Sequence, residues 1–299
     1  MQPPVLALFG PTGIGKTDLA LALAGRLRAA GERPVAVSAD ALQVYRGLET
    51  LTGVASPEER ERLEHRLVAF LPVTQRFSAG EYARMAHAEL DTLLAAGAAP
   101  IVVGGTGLYL RAALADLALR PAVPEAVRAR WNAALDARGA PALHAELTRR
   151  APWSAQRIDS RDGHRLVRAL ELDDLGALHP PPEDNELWTG HTRHPTRLVG
   201  LTMDREALYA RIDARVRAMV EAGATEEVRA ADAAGASATA RKALGFAELL
   251  AGDVPAMQRR TRNYAKRQLT WMRKLPGVEL VDVTGREPED VAAELLPAT

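Results

Sequence analysis

Gly10, Pro11, Thr12, Gly13, Ile14, Gly15, Lys16 and Thr17 fit the pattern G-x-x-x-x-G-K-[ST]. Glycines in such a loop let successive backbone N–H groups turn inward without Cβ clashes, so the loop cradles a polyphosphate at a helix N-terminus. Lys16 adds a point charge, and the Thr17 hydroxyl suits Mg²⁺. A second chemical group is Asp40, at the end of Val35-Ala-Val-Ser-Ala-Asp40. It suits a general base toward an attacking amine or hydroxyl, and equally an N-cap for a following short helix.

These groups need elements to hold them. Val5–Phe9 is a short apolar run ending at a glycine and reads as a buried strand. Thr17–Ala29, with Leu19, Leu23 and Leu27 at helical spacing, reads as the helix after the loop. Pro34–Ser38 and Pro100–Val103 read as further strands, with helices at Glu81–Ala96 and Leu108–Leu114. Strands alternating with helices predict an α/β fold: a P-loop NTPase-like parallel sheet flanked by helices. In open sheets of this kind ligands bind beyond the carboxyl ends of the strands, which places Asp40 near the phosphate loop.

From about Pro121 to Gly176 the chain is helical and rich in Arg, with no clear strand; His179–His194 is a loop containing Pro180, Pro181 and Pro182. Arg197–Thr202 then reads as a returning strand, followed by helices at Arg205–Ala222 and Pro255–Lys274 and a last strand at Val278–Val283. The simplest arrangement is a core domain of residues 1–120 and 195–299 interrupted by a helical insertion at 121–194.

The 299 residues are 47% hydrophobic and 25% charged, a composition that buries a real core. Acidic and basic residues balance at 38 each, so a nucleic-acid surface must come from local clustering. The chain has no cysteine, which excludes disulfides and Cys-ligated zinc and fits a reducing compartment. No basic leader and no membrane-length apolar run is seen, so the expectation is a cytoplasmic protein without a membrane segment.

A phosphate loop identifies a phosphate, not a reaction. ATP or GTP is the default ligand. Nucleotide hydrolases, however, commonly hold Mg²⁺ with an Asp at the end of an apolar strand. Here Ile101-Val-Val103 runs into Gly104-Gly105-Thr106-Gly107 and offers no carboxylate, which argues against hydrolysis.

Four further stretches carry a resemblance. Ala39-Asp-Ala-Leu-Gln-Val-Tyr-Arg-Gly47 resembles the D-S-x-Q-[IV]-Y-[RK]-G segment of the tRNA dimethylallyltransferases, also called tRNA isopentenyltransferases. Val103-Gly-Gly-Thr-Gly-Leu-Tyr-Leu-Arg111 is similar to that family's V-G-G-T-G-L-Y, and Arg165-Leu-Val-Arg-Ala-Leu-Glu171 to its R-x-x-R-A-L-E. Arg262-Asn-Tyr-Ala-Lys-Arg-Gln-Leu-Thr-Trp271 is similar to its R-x-Y-A-K-R-Q-x-T-W. The four lie in the family's order and span nearly the whole chain.

The resemblance implies transfer of a dimethylallyl group from dimethylallyl diphosphate to N6 of the adenine at position 37, next to the anticodon in the tRNA anticodon stem-loop, with release of diphosphate. It implies that residues 10–17 and Arg215 hold the diphosphate, with Mg²⁺ on Thr17. Asp40 matches the family's general base, and Thr106 the residue that positions the amine. Gln43, with Ala41 and Leu42 beside it, matches the segment that reads the flipped adenine. His164, Arg165, Leu166, Val167 and Arg168, with Arg128 and Lys242, match positions near the tRNA. The enzyme is expected to act as a monomer.

The chemistry coheres. Donors at the loop stabilise charge building on the leaving group, and an exocyclic amine is a poor nucleophile that needs positioning and proton removal. Flipping the base costs a few kcal/mol, least in a loop.

Two basic segments bear on RNA. Arg161, Arg165 and Arg168 fall on one helical face, but Asp162 and Glu171 lie close by, so internal ion pairs compete with phosphate contact. Between Arg259 and Lys274 there are seven Lys or Arg and no Asp or Glu. Arg259, Arg262, Lys266 and Arg273 form a basic stripe for phosphates, while Tyr264, Trp271 and Leu275 read as core packing.

The chain also departs from the family. Ala41 replaces the usual Ser, Met272 replaces a Phe, and Leu48-Glu-Thr-Leu-Thr-Gly53 replaces M-D-I-G-T-A of the family's M-D-I-G-T-A-K-P. Competing readings are a small-molecule P-loop kinase with the insertion as lid, and an RNA-binding protein with a vestigial loop. The first leaves the basic C-terminal helix without a purpose, and the intact Lys16-Thr17 pair opposes the second.

Overall fold

The computed structural model describes residues 5–180, 187 and 189–297. Six parallel strands form the main sheet in the order β4-β2-β6-β1-β7-β8. They are β1 (Val5–Phe9), β2 (Arg33–Ser38), β4 (His65–Arg66), β6 (Ala98–Gly104), β7 (Thr196–Thr202) and β8 (Glu279–Asp282). Two two-residue strands, β3 (Tyr45–Arg46) and β5 (Leu71–Pro72), pair separately, also in parallel.

All five residues of β1 are buried, as a strand covered on both faces requires. Leu6 pairs with Ile101 of β6 on one side and with Arg197 of β7 on the other. β2 lies on the far side of β6, with Ser38 opposite Val103. The carboxyl ends of β1, β2 and β6 are therefore neighbours, and the loops after them meet at one edge.

The helix Lys16–Ala29 buries Leu19, Leu23 and Ala24 in the core built on β1 and β7, together with Val291 and Leu295 of the helix Pro288–Leu295. The helix predicted from Glu81 starts two residues earlier, at Ala79. Ser78 caps it, and Glu81 reaches back to the Ser78 N–H at 2.9 Å, a reciprocal capping box.

The described residues divide into two compact units, 1–117 with 186–299, and 118–185. Arg193 and His194 lie in the first. The Arg193 N–H donates to the Leu114 carbonyl at 2.8 Å, and its guanidinium pairs with Asp116 and Asp91. In the second unit the helix Glu125–Arg150 is interrupted at Gly139 (φ 78°, ψ 164°), a conformation that the missing Cβ permits, two residues before Pro141. It packs on the helix Gly163–Asp174 around Trp131, Leu143, Leu147, Leu166 and Leu170. Pro181 and Pro182 lie outside the described residues. No helix among the described residues is long and apolar enough to cross a membrane.

Candidate functional site

The loop after β1 folds back over the start of the helix Lys16–Ala29. Gly13 (φ 81°) and Gly15 (φ 98°) adopt left-handed conformations that a side chain would strain. Lys16 Nζ donates to the carbonyls of Gly10 at 2.9 Å and Pro11 at 3.0 Å, which curls its ammonium inside the loop. Burial, and then the nearby Arg215 charge, lower its pKa to about 8, while Asp40 pulls it back up.

Arg215, on the helix Arg205–Glu221, adds a second cation. Its Nε is buried and has no hydrogen-bond partner, and it forms no ion pair among the described residues. Burial lowers its pKa. A guanidinium whose buried Nε lacks a partner is relieved by an anion. Arg211, one turn earlier, donates from Nε to the Gly13 carbonyl at 3.1 Å and so braces the loop from outside.

Asp40 lies just past β2. Its Oδ1 accepts from the Leu42 N–H at 2.9 Å, closing a turn over Asp40–Leu42; the segment that follows is a turn and then β3, so Asp40 caps no helix. Its Oδ2 accepts from the Thr106 hydroxyl at 3.4 Å. Thr106 comes from the glycine loop after β6, and its hydroxyl is 3.2 Å from that of Tyr264. With Thr106 donating to Asp40, Tyr264 donates to Thr106, and the three form a chain that ends on the carboxylate. Burial, and next the Asp40 charge, push the Tyr264 hydroxyl up to about 12, so it stays protonated. The sequence reading of Tyr264 as packing is corrected: its ring is half-buried, but its hydroxyl belongs to the site. Neighbouring Tyr82 donates to the Ser38 carbonyl at 2.9 Å, and burial raises its pKa too.

Close approach explains the glycines after β6. A Cβ at Gly104 would strike the backbone of Ala39, one at Gly105 the Gln268 amide, and one at Gly107 the Trp271 ring. The Asp40 loop, the Thr106 loop and the helix Val254–Met272 can therefore touch.

Gln43 faces inward. Its Oε1 accepts from Ser38 Oγ at 2.8 Å, and Nε2 donates to the carbonyls of Gly53 at 2.9 Å and Thr52 at 3.4 Å. It ties the Asp40 turn to the atypical 48–53 segment. That segment holds a short helix, Glu49–Thr52, whose Thr50 and Leu51 N–H groups both donate to Glu227 at 2.9 Å. A carboxylate from another helix thus satisfies the open donors. Ala41 and Leu42 are half-buried in the same turn, and Lys242 is exposed in the turn Ala240–Lys242.

In the second unit the predicted RNA contacts separate. Leu166 (0% exposed) and Val167 (6%) are core residues, because they lie on the inward-facing apolar stripe of an amphipathic helix; their side chains pack and are not available to a ligand. His164 and Arg165 are exposed. Arg165 pairs with Asp162 at 3.3 Å, and Arg128 and Arg168 both bind the buried Glu171, at 2.9 and 3.4 Å. On the helix Val254–Met272 Arg262 is held by Asp213 at 2.5 Å, which removes it from the free basic stripe; Arg259 and Lys266, and Arg273 just past the helix end, stay exposed.

No group of three or more His, Asp or Glu converges as a metal cage among the described residues. Mg²⁺ bound chiefly by substrate phosphates and water needs only one or two protein oxygens, and the Thr17 hydroxyl beside Lys16 meets that requirement.

The arrangement therefore offers a cationic cradle on one side and, across the same sheet edge, a carboxylate with a hydrogen-bonded hydroxyl. It suits displacement of a phosphate leaving group by a nucleophile that loses a proton.

A family model described as IPP transferase matches residues 43–275. The tRNA dimethylallyltransferase of Thermobifida fusca is 41% identical over 92% of this chain and 88% of its own. That of Rhodospirillum centenum is 45% identical over 90% and 88%. The solved tRNA isopentenylpyrophosphate transferase of Bacillus halodurans superposes with a TM-score of 0.69 at 30% identity, covering 98% of this chain and 94% of that one. A eukaryotic dimethylallyltransferase acting on tRNA shares the fold, with a TM-score of 0.73 at 22% identity over 98% and 77%.

Proposed function

The chain belongs to the IPP transferase family and is a prenyltransferase acting on tRNA; we propose that it joins the dimethylallyl group of dimethylallyl diphosphate to N6 of the adenine at position 37, beside the anticodon. The observation that carries this reading is the pairing of Lys16, curled inside its loop, with the Asp40–Thr106 hydrogen bond at the neighbouring strand end.

In this reading the loop N–H groups other than that of Thr12, together with Lys16 and Arg215, bind the diphosphate and take up the charge that develops as the bond from the prenyl carbon to oxygen breaks. The adenine nitrogen forms the new bond to that carbon, and Asp40 takes the proton it loses. Each Asp40 oxygen already accepts one hydrogen bond, which fixes the carboxylate and leaves lone pairs for that proton. Thr106 holds the amine in line and Tyr264 holds Thr106. Thr17 would hold Mg²⁺, which supplies further charge neutralisation on the diphosphate.

The anticodon stem-loop is the partner in this reading. His164, Arg165 and Lys242, with the exposed cations of the C-terminal helix, are offered to its phosphates. The protein acts as a monomer in the cytoplasm. A small-molecule kinase is disfavoured, since β6 ends in glycines and brings no carboxylate for a nucleotide's Mg²⁺.

The test is direct. Purified protein is incubated with Mg²⁺, unmodified tRNA and dimethylallyl diphosphate, and the nucleosides are weighed after digestion. Adenosine heavier by one dimethylallyl group is expected. Unmodified nucleosides, or ATP consumed with a small acceptor, would overturn the reading.

A further inference from the structure

The face of the helix Val254–Met272 that bears Tyr264, Gln268 and Trp271 lies against the glycine loop after β6. Gln268 is 5% exposed, and both ends of its amide are engaged. Oε1 accepts from the Thr12 N–H at 2.9 Å, and Nε2 donates to the Gly105 carbonyl at 2.7 Å. One residue beyond Gly105, Thr106 meets Tyr264, and Gly107 meets the Trp271 ring. Positions i, i+4 and i+7 of one helix thus grip three consecutive residues of one loop.

A buried amide with both ends satisfied is a rigid connector, and this one joins the two loops that hold different halves of the chemistry. Thr12 belongs to the phosphate loop; Gly105 precedes the residue bonded to Asp40. The Thr12 N–H points to Gln268, so it is not among the donors left for a phosphate.

We infer that Gln268 is a positioning residue that sets the separation between the diphosphate cradle at Lys16 and the Asp40–Thr106 pair. It thereby sets how closely the nucleophile approaches the prenyl carbon. Displacement needs the reacting atoms about 3–3.5 Å apart, and misplacement by roughly 1 Å costs about 100-fold in rate. Gln268 touches neither reacting atom, so its effect appears in the chemical step and not in affinity for either substrate. This rests on the proposed transfer reaction.

The experiment compares the wild-type chain with Gln268→Met, which keeps the volume and loses both hydrogen bonds, and Gln268→Glu, which keeps an acceptor for Thr12 and offers Gly105 no donor. Single-turnover transfer at saturating tRNA and dimethylallyl diphosphate is measured beside both dissociation constants and the melting temperature. In each folded variant the rate should fall about 100-fold while both constants stay within about threefold, the pattern of a misplaced but bound reactant pair. An unchanged rate in either folded variant overturns the inference. So does a loss of rate matched by an equal loss of tRNA affinity. If Gln268→Met does not fold, Gln268→Glu carries the test. Absence of transfer by the wild-type chain instead counts against the reaction itself, which keeps the two failures distinct.

Discussion

The Arg215 guanidinium lies against Gly53 so closely that a Cβ at Gly53 would collide with Nη2. Gly53 is also left-handed, with φ 63°. The atypical 48–53 segment is therefore not a loss of structure. It ends in the residue that makes room for Arg215, the cation proposed to grip the diphosphate, and Glu227 and Gln43 hold it there. Gly53→Ala should displace Arg215 and weaken pyrophosphate binding about tenfold, the scale of one charge-assisted hydrogen bond. Isothermal calorimetry with pyrophosphate and Mg²⁺ checks this, with tRNA affinity as the unaffected control.

Asp40→Asn keeps the shape of the carboxylate and removes its basicity. Single-turnover transfer should fall by about 10²–10⁴ at saturating substrates, the usual contribution of a general base. Filter binding of tRNA should change little. A turnover equal to wild type would remove Asp40 from proton transfer.

Lys16 supplies a pH dependence. Its pKa is lowered to about 8 in the free protein, and a bound anion favours the ammonium, so the bound pKa must lie higher. Pyrophosphate affinity is then full below pH 8 and declines as pH rises through that value. Near pH 8 binding takes up a proton, which appears as a buffer-dependent enthalpy in calorimetry. Lys16→Met should abolish both the affinity and the proton uptake.

In the second unit, the buried Glu171 is shared by Arg128 and Arg168. Glu171→Ala removes both pairs and should destabilise this unit by roughly 2–3 kcal/mol, since the charge-assisted hydrogen bonds of two arginines to a buried carboxylate are lost. Denaturation monitored by tryptophan fluorescence reads it out. Arg165→Ala, on an exposed pair, should shift stability by less than about 0.5 kcal/mol.

The free basic stripe is smaller than the sequence count suggests. Arg259→Glu with Lys266→Glu should weaken tRNA binding and reduce the magnitude of its salt slope by about 2, at roughly one unit per lost phosphate contact. Arg262→Ala should act mainly on stability, because Asp213 would lose its partner.

The strands were legible because both-face burial demands continuous apolar runs, as in Val5–Phe9 and Pro100–Val103. β4 was not: two residues at a sheet edge, His65 and Arg66, carry no such pattern. The juxtaposition of Lys16 and Asp40 could be anticipated because each follows a strand of one parallel sheet, whereas Thr106 was implied by the family resemblance. The roles of Tyr264 and Gln268 could not. A half-buried Tyr and a buried Gln on an amphipathic helix look like packing until the loop they reach, more than 150 residues away in sequence, is in view. Arg262 and Asp213 were separated in the same way, so a stripe counted on one helix missed the carboxylate on another.

The pairing of β1 has a consequence for biogenesis. Leu6 needs Ile101 on one side and Arg197 on the other before its strand is complete, and the loop that follows it needs Gln268. Ribosomes deliver chain from the N-terminus at about 5–20 residues per second, so β1 must wait roughly ten seconds or more for its last neighbour. Residues 118–185, whose internal core is local, can collapse during that interval. Until β7 is made, one edge of the apolar run Val5–Phe9 stays unpaired, and nascent-chain chaperones are expected to engage it there.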